Sequence, residues 1–223
     1  MDLFCSRYSA EPKKIIEKNE PPKQGAALFF STLWREFGEL CKLNFVLMLL
    51  CAPVVTAPAA ITAMSRVMIY MFMDEPIYTF SVFFDAFRDE WKRSTIMGVI
   101  YFPTLAALVF GQYFYSAVME NFPLSVISMF ACVVTVIAGF YIFPMIAAVN
   151  IGITGILKNA VILTFIRIPQ NIAALMAVAL LTLAVILLLP YSTIAVIVIY
   201  FALIGFITVF CAYTGMKKFV ISS

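Results

Sequence analysis

Histidine is absent from this 223-residue chain. That excludes an imidazole base, a histidine-ligated metal and a histidine pH switch. Charge is scarce as well, at 12% of residues against roughly a quarter in ordinary globular proteins. What charge there is lies unevenly: from Ser94 to Ser223 only Glu120, Lys158, Arg167, Lys217 and Lys218 carry any. Five residues cannot supply the polar surface that a soluble fold of that length needs. The cysteines (Cys5, Cys41, Cys51, Cys132 and Cys211) include no C-x-x-C pair, so no disulfide or metal framework is legible. Phosphate-binding, dinucleotide-binding and zinc-protease motifs are all missing. The neighbouring acids Asp85 and Asp89 read as a solvated helix face. The chain is therefore expected not to be an enzyme and to carry no cofactor or metal. A net charge of +3 spread along a membrane chain argues against nucleic acid as a partner.

Hydrophobic residues make up 64% of the sequence, and their distribution predicts an all-α polytopic membrane helix bundle. Residues 1–25 form a polar tail without an apolar signal-peptide core, expected to be cytosolic; residues 26–223 form one transmembrane domain. The first uncharged stretch, Leu43 to Ser65, is interrupted by Pro53 and Pro58, which make a single straight helix through it improbable. Charge counting sharpens this. A single crossing would leave Arg7, Lys13, Lys14, Lys18, Lys23, Arg35 and Lys42, seven of the fifteen basic residues, on one side, and the other eight opposite. That near-even division gives no orientation. A hairpin tipped at Pro53–Pro58 puts all fifteen on the cytosolic side and both termini with them. The expectation is thus about six membrane segments, the first two a Pro-tipped hairpin crossing fully or re-entering. The later segments are Thr95–Val118, Leu124–Ala147, 171–189 and 192–215, with a more polar connection at 148–170.

Two surface helices are expected on the cytosolic side, at 28–42 and at 79–93. In the second, Phe83, Phe84, Phe87 and Trp91 recur at helical spacing opposite Asp85, Arg88, Asp89 and Lys92. Such a face either anchors the helix at the membrane and in the core, or docks a partner. The hairpin carries the other candidate residues: Asn44, Pro53, Thr56 and Pro58, with Arg66 expected to meet Glu39 or Asn44 at similar depth. The later spans lack the intramembrane ionisable residues of coupled transporters.

Three blocks resemble one family. They are Asn44 with Pro53-Val54-Val55-Thr56 and Pro58-Ala59; Phe83-Phe84-Asp85-Ala86-Phe87-Arg88 with Trp91-Lys92-Arg93-Ser94; and Phe143-Pro144 with Lys158-Asn159-Ala160 and Ile168-Pro169. In this order, across roughly residues 28–172, they are similar to the YesL family of bacterial multi-pass membrane proteins, whose biochemical function is unassigned. The resemblance implies a bacterial plasma-membrane location and an accessory or scaffold role beside ABC-type carbohydrate uptake systems. The partners it implies are the lipid bilayer and sugar-transporter subunits, with self-association as a further choice. The alternative function is a small-solute transporter or channel. The resemblance supplies no catalytic residue.

Overall fold

The computed structural model describes residues 25–74, 78–189 and 191–219; the expected tail, except its last residue, and Pro190 lie outside the described residues. Among the described residues the protein is helical, without strands. The helices are α1 (Ala26–Arg35), α2 (Phe37–Cys51), α3 (Ala57–Met73), α4 (Thr79–Asp89), α5 (Trp91–Tyr113), α6 (Phe122–Ala148), α7 (Ile153–Ile166), α8 (Ile168–Leu187), the single turn α9 (Thr193–Ala195) and α10 (Phe201–Phe219). Wider π turns at Phe114–Val118 and Val196–Tyr200 extend α5 and join α9 to α10. The chain is an all-α polytopic bundle.

Among the described residues, five stretches are long and apolar enough to cross a bilayer: Val54–Met73, Trp91–Val118, Phe122–Ala148, Ile168–Leu187 and Thr193–Lys217. The Pro-tipped hairpin is present, and of the two alternatives for its first arm, crossing fully or re-entering, the length of α2 suits the second. The apolar part of α2, Leu43 to Cys51, is only about 14 Å long at 1.5 Å per residue, half of a ~30 Å hydrocarbon core. The expected surface helix at 28–42 is two helices, because the chain breaks at Glu36 (φ −99°, ψ 14°) between α1 and α2. The expected helix at 79–93 likewise breaks at Glu90, so Trp91 opens α5. The connection at 148–170 contains α7, a 14-residue apolar helix that its glycines and its lysine had concealed.

Local chemistry explains the hairpin tip. Pro53 has no N–H to continue α2, which would leave terminal carbonyls open. The Thr56 hydroxyl donates to the carbonyls of Leu50 and Pro53, and the Thr56 N–H donates to Pro53 at 2.9 Å. Pro58 then sits in the first turn of α3, where a missing N–H costs nothing. Its ring lies against Gly98 of α5; a Cβ there would come within 2.2 Å of Pro58 Cγ, so only glycine permits this approach. α5 runs on for about 22 Å beyond that contact, paired with α6 and otherwise exposed.

α3 is the central helix, enclosed for most of its length by α2, α4, α5, α6 and α10. At its foot Phe72 meets Phe206 with ring centroids 4.7 Å apart, and Phe29 of α1 meets Phe206 at 5.0 Å. On α2, Asn44, fully buried, binds the π turn before α10. Its amide donates to the carbonyls of Val196 (3.2 Å) and Ile197 (2.7 Å), and its oxygen accepts from the Ala202 N–H (2.9 Å). A π turn frees backbone groups that an α-helix would pair, and one carboxamide satisfies three of them. Replacing Asn44 by Leu keeps the volume and removes all three bonds. It is expected to cost about 2–4 kcal/mol, since buried backbone groups are left unpaired; thermal unfolding in detergent measures it, and an unchanged midpoint would show that the clamp contributes nothing.

Candidate functional site

The densest polar constellation lies where α4 turns into α5. Glu90, whose side chain is 9% exposed, caps both helices and offers one carboxylate oxygen to each of two arginines. Arg66 of α3 donates to Oε1 at 3.0 Å, and Arg93 of α5 donates to Oε2 at 3.0 Å. Asp89 Oδ2 is 3.9 Å from the Arg66 guanidinium. Both arginines continue onto the end of α6. Arg66 Nε donates to the carbonyl of Ala147 (3.1 Å), and Arg93 donates to the carbonyls of Ile151 (2.6 Å) and Val149 (3.4 Å) and to Asn150 Oδ1 (3.3 Å). The last turn of a helix has carbonyls without N–H partners, and here guanidinium groups fill that role.

This corrects the expectation for Arg66. Glu39 pairs with Lys42 of its own helix at 2.7 Å, and Asn44 is engaged by the π turn. Depth along the membrane had suggested those partners, but direction around α3 decides. Arg66 projects toward α5 and α6, whereas the Asn44 side of α2 faces α10. The hydrogen bond from Lys42, together with one from Thr79, holds the Glu39 carboxyl below its ordinary range against the opposing effect of partial burial.

A second polar knot ties α6, α7, α8 and α10. Asn171, fully buried, donates to the end carbonyls of α7 at Leu163 (3.3 Å) and Thr164 (3.0 Å) and accepts from the Tyr141 hydroxyl. Arg167 donates to the Cys211 carbonyl (2.9 Å) and Thr214 Oγ1 (3.0 Å). Sequence reasoning singled out neither Asn171 nor Tyr141; the available signal was Arg167 and Asn171, four apart around Pro169, at the head of an uncharged run.

The aromatic face of α4 divides. Phe83 is fully buried, and Phe87 and Trp91 are half-buried in a ladder with centroid spacings of 6.4 and 5.2 Å. These three pack within the protein, so Phe83 in particular cannot serve as a docking knob. Residues 83 and 87 fall on the side of α4 turned to α3, while 80, 84 and 88 are rotated away from it. Phe84, 51% exposed, instead heads a different row: Phe80, Phe84, Arg88 and Lys92, each four residues from the next and all exposed. Among the described residues, neither basic side chain has a carboxylate within ion-pair distance.

The interior holds a crevice of about 310 Å³ where α2, α3, α6 and α10 converge. Leu47, Ile61, Met64, Phe143 and Phe201 line it, with two hydroxyls, Ser65 and Thr208. Both are turned back to backbone carbonyls of their own helices, at Ile61 (2.8 Å) and Gly205 (2.9 Å). No group of three histidine, cysteine or acidic side chains among the described residues could hold a metal.

The Glu90 cluster makes a stability prediction. Glu90→Ala leaves two guanidinium groups without their carboxylate and should cost about 2–4 kcal/mol. Combining it with Arg66→Met should cost less than the sum of the two single changes. Strictly additive losses in a detergent unfolding series would mean that the two side chains are not coupled.

Comparison with known proteins adds one finding. Residues 40–112, from α2 through most of α5, are similar to a family described as a protein of unknown function, DUF624. No curated protein and no solved structure matches the chain. The matched segment contains the hairpin tip, Arg66, Glu90, Arg93 and the whole of α4.

Proposed function

We propose that this protein is a non-enzymatic accessory subunit of the bacterial plasma membrane that docks another membrane component through the exposed row of α4. The observation that carries the reading is the row itself. Phe80 and Phe84 are large apolar groups left outside the packed bundle, and Arg88 and Lys92 continue them with charge. Aromatic and arginine side chains are the usual anchors of binding surfaces. The helix that presents them is fixed from behind by Phe83 and the Glu90 cluster. The resemblance to the YesL family points to carbohydrate uptake systems of the ABC type as the component. Passage of a polar solute through the bundle is the weaker reading, because the interior crevice is apolar and its two hydroxyls are already bonded.

Purification of a tagged, functional copy in mild detergent, with mass spectrometry of what accompanies it, tests this. The double change Phe80→Ala/Phe84→Ala should abolish co-purification and leave the unfolding midpoint nearly unchanged. Phe83→Ala should instead lower stability by about 3–5 kcal/mol through loss of a buried ring. A functional copy that repeatedly emerges alone would remove the proposal.

The proposed orientation places both termini in the cytosol. It is supported by the basic residues gathered at the helix ends around Arg66, Arg93 and Arg167, while the opposite turn at Glu120 carries none. Single cysteines in a cysteine-free background test it. In intact cells, cysteines at residues 20 and 220 should resist a membrane-impermeant thiol reagent, and one at residue 120 should react. Labelling at only one terminus would require an odd number of crossings.

A further inference from the structure

We infer that α1 is an in-plane membrane helix: its outer face, with the face of α2 that continues it, is seated among the acyl chains of the bilayer. α1 is apolar on both sides. Phe29 and Leu33 pack inward, Phe29 against Phe206 and Phe210 at centroid distances of 5.0 and 5.2 Å. Phe30 and Trp34 point outward and are 67% and 87% exposed. Phe30 and Trp34 thus give α1 a second apolar face, turned away from the bundle, in addition to the one that packs inward.

The outer face continues past the break at Glu36. Phe37, Phe45 and Leu49 of α2 are also exposed and prolong the line from Phe30 and Trp34 at successive spacings of three, eight and four residues, with Cys41 midway in the longest step. Beyond Leu49 lie the exposed Val54 and Val55 at the hairpin tip. One uncharged strip thus runs unbroken from α1 onto the outer surface of the apolar hairpin, which sits beside the membrane-spanning helices. The charges nearest the strip are turned elsewhere: Arg35 to Glu36, Asp74 and the Met71 carbonyl, and Lys42 to Glu39. The strip therefore offers nothing to an acidic or basic protein surface, in contrast to the α4 row with its free arginine and lysine. At ten residues, about 15 Å, α1 is too short to cross a bilayer. Its position does not depend on what α4 docks.

The chain has two tryptophans, so Trp91→Phe leaves Trp34 as the sole indole reporter in the full-length protein. The probe is phosphatidylcholine vesicles whose chains are brominated at carbons 6 and 7 or at carbons 11 and 12. Trp34 should emit to the blue of free tryptophan, lose most of its emission to bromine, more to the shallower label, and resist aqueous acrylamide. Emission quenched by acrylamide and not by bromine would place the face in water and overturn the inference. Protection from both quenchers would also overturn it, since a protein surface would then cover the strip. If Trp91→Phe lowers stability, the difference in quenching between the unsubstituted protein and Trp34→Phe reads the same quantity.

Discussion

Two guanidinium groups converge on one carboxylate at Glu90, and the register of the bundle depends on it. Glu90 stands at the break between α4 and α5, so its position sets where one helix stops and the next begins. Through Arg66 it fixes the height of α3, and through Arg93 that of α5. The remaining donors of both arginines close the end of α6. Three helices are thereby locked at one level by a cluster that is mostly shielded from solvent, where ion pairs are stronger than on a surface and costlier to break.

The same economy recurs elsewhere. Several polar side chains attend to a backbone group freed by a helix end or a π turn. Thr56 closes α2, Asn171 closes α7, Asn44 serves the π turn before α10, and the Ser192 hydroxyl donates to the Val185 carbonyl near the end of α8 (2.6 Å). In a bilayer, an open carbonyl has no water to turn to, so irregular backbone persists only where a side chain covers it. These polar residues complete the backbone of the bundle, and the crevice between α2, α3, α6 and α10 is lined mainly by apolar side chains.

Much of this was legible in the sequence. Uncharged runs gave four of the long helices, and the prolines placed the hairpin tip. Helix breaks were less legible: Glu36 and Glu90 are ordinary helix formers, and nothing local to them signals a stop. At Glu90 the break coincides with the pull of two arginines from other turns of the fold; at Glu36, among the described residues, the side chain pairs only with the adjacent Arg35. The division of the α4 aromatics was half visible. Spacing showed that Phe83, Phe84, Phe87 and Trp91 share one broad side of the helix. Which of them faces α3 depends on an angle of about 100° per residue that the pattern alone leaves free. Arg66 failed for the same reason, since depth follows from counting residues and azimuth does not.

The Asn44 clamp also has a consequence for how the protein is made. Its acceptors Val196 and Ile197 lie 152 and 153 residues further along the chain. At ribosomal speeds of about 5–20 residues per second, roughly 8–30 s separate the synthesis of the amide from that of its partners. During that interval α2 enters the bilayer with an unpaired carboxamide, beside a half-built bundle whose last helix does not yet exist. The final packing of the hairpin can therefore form only after the last helix has been made.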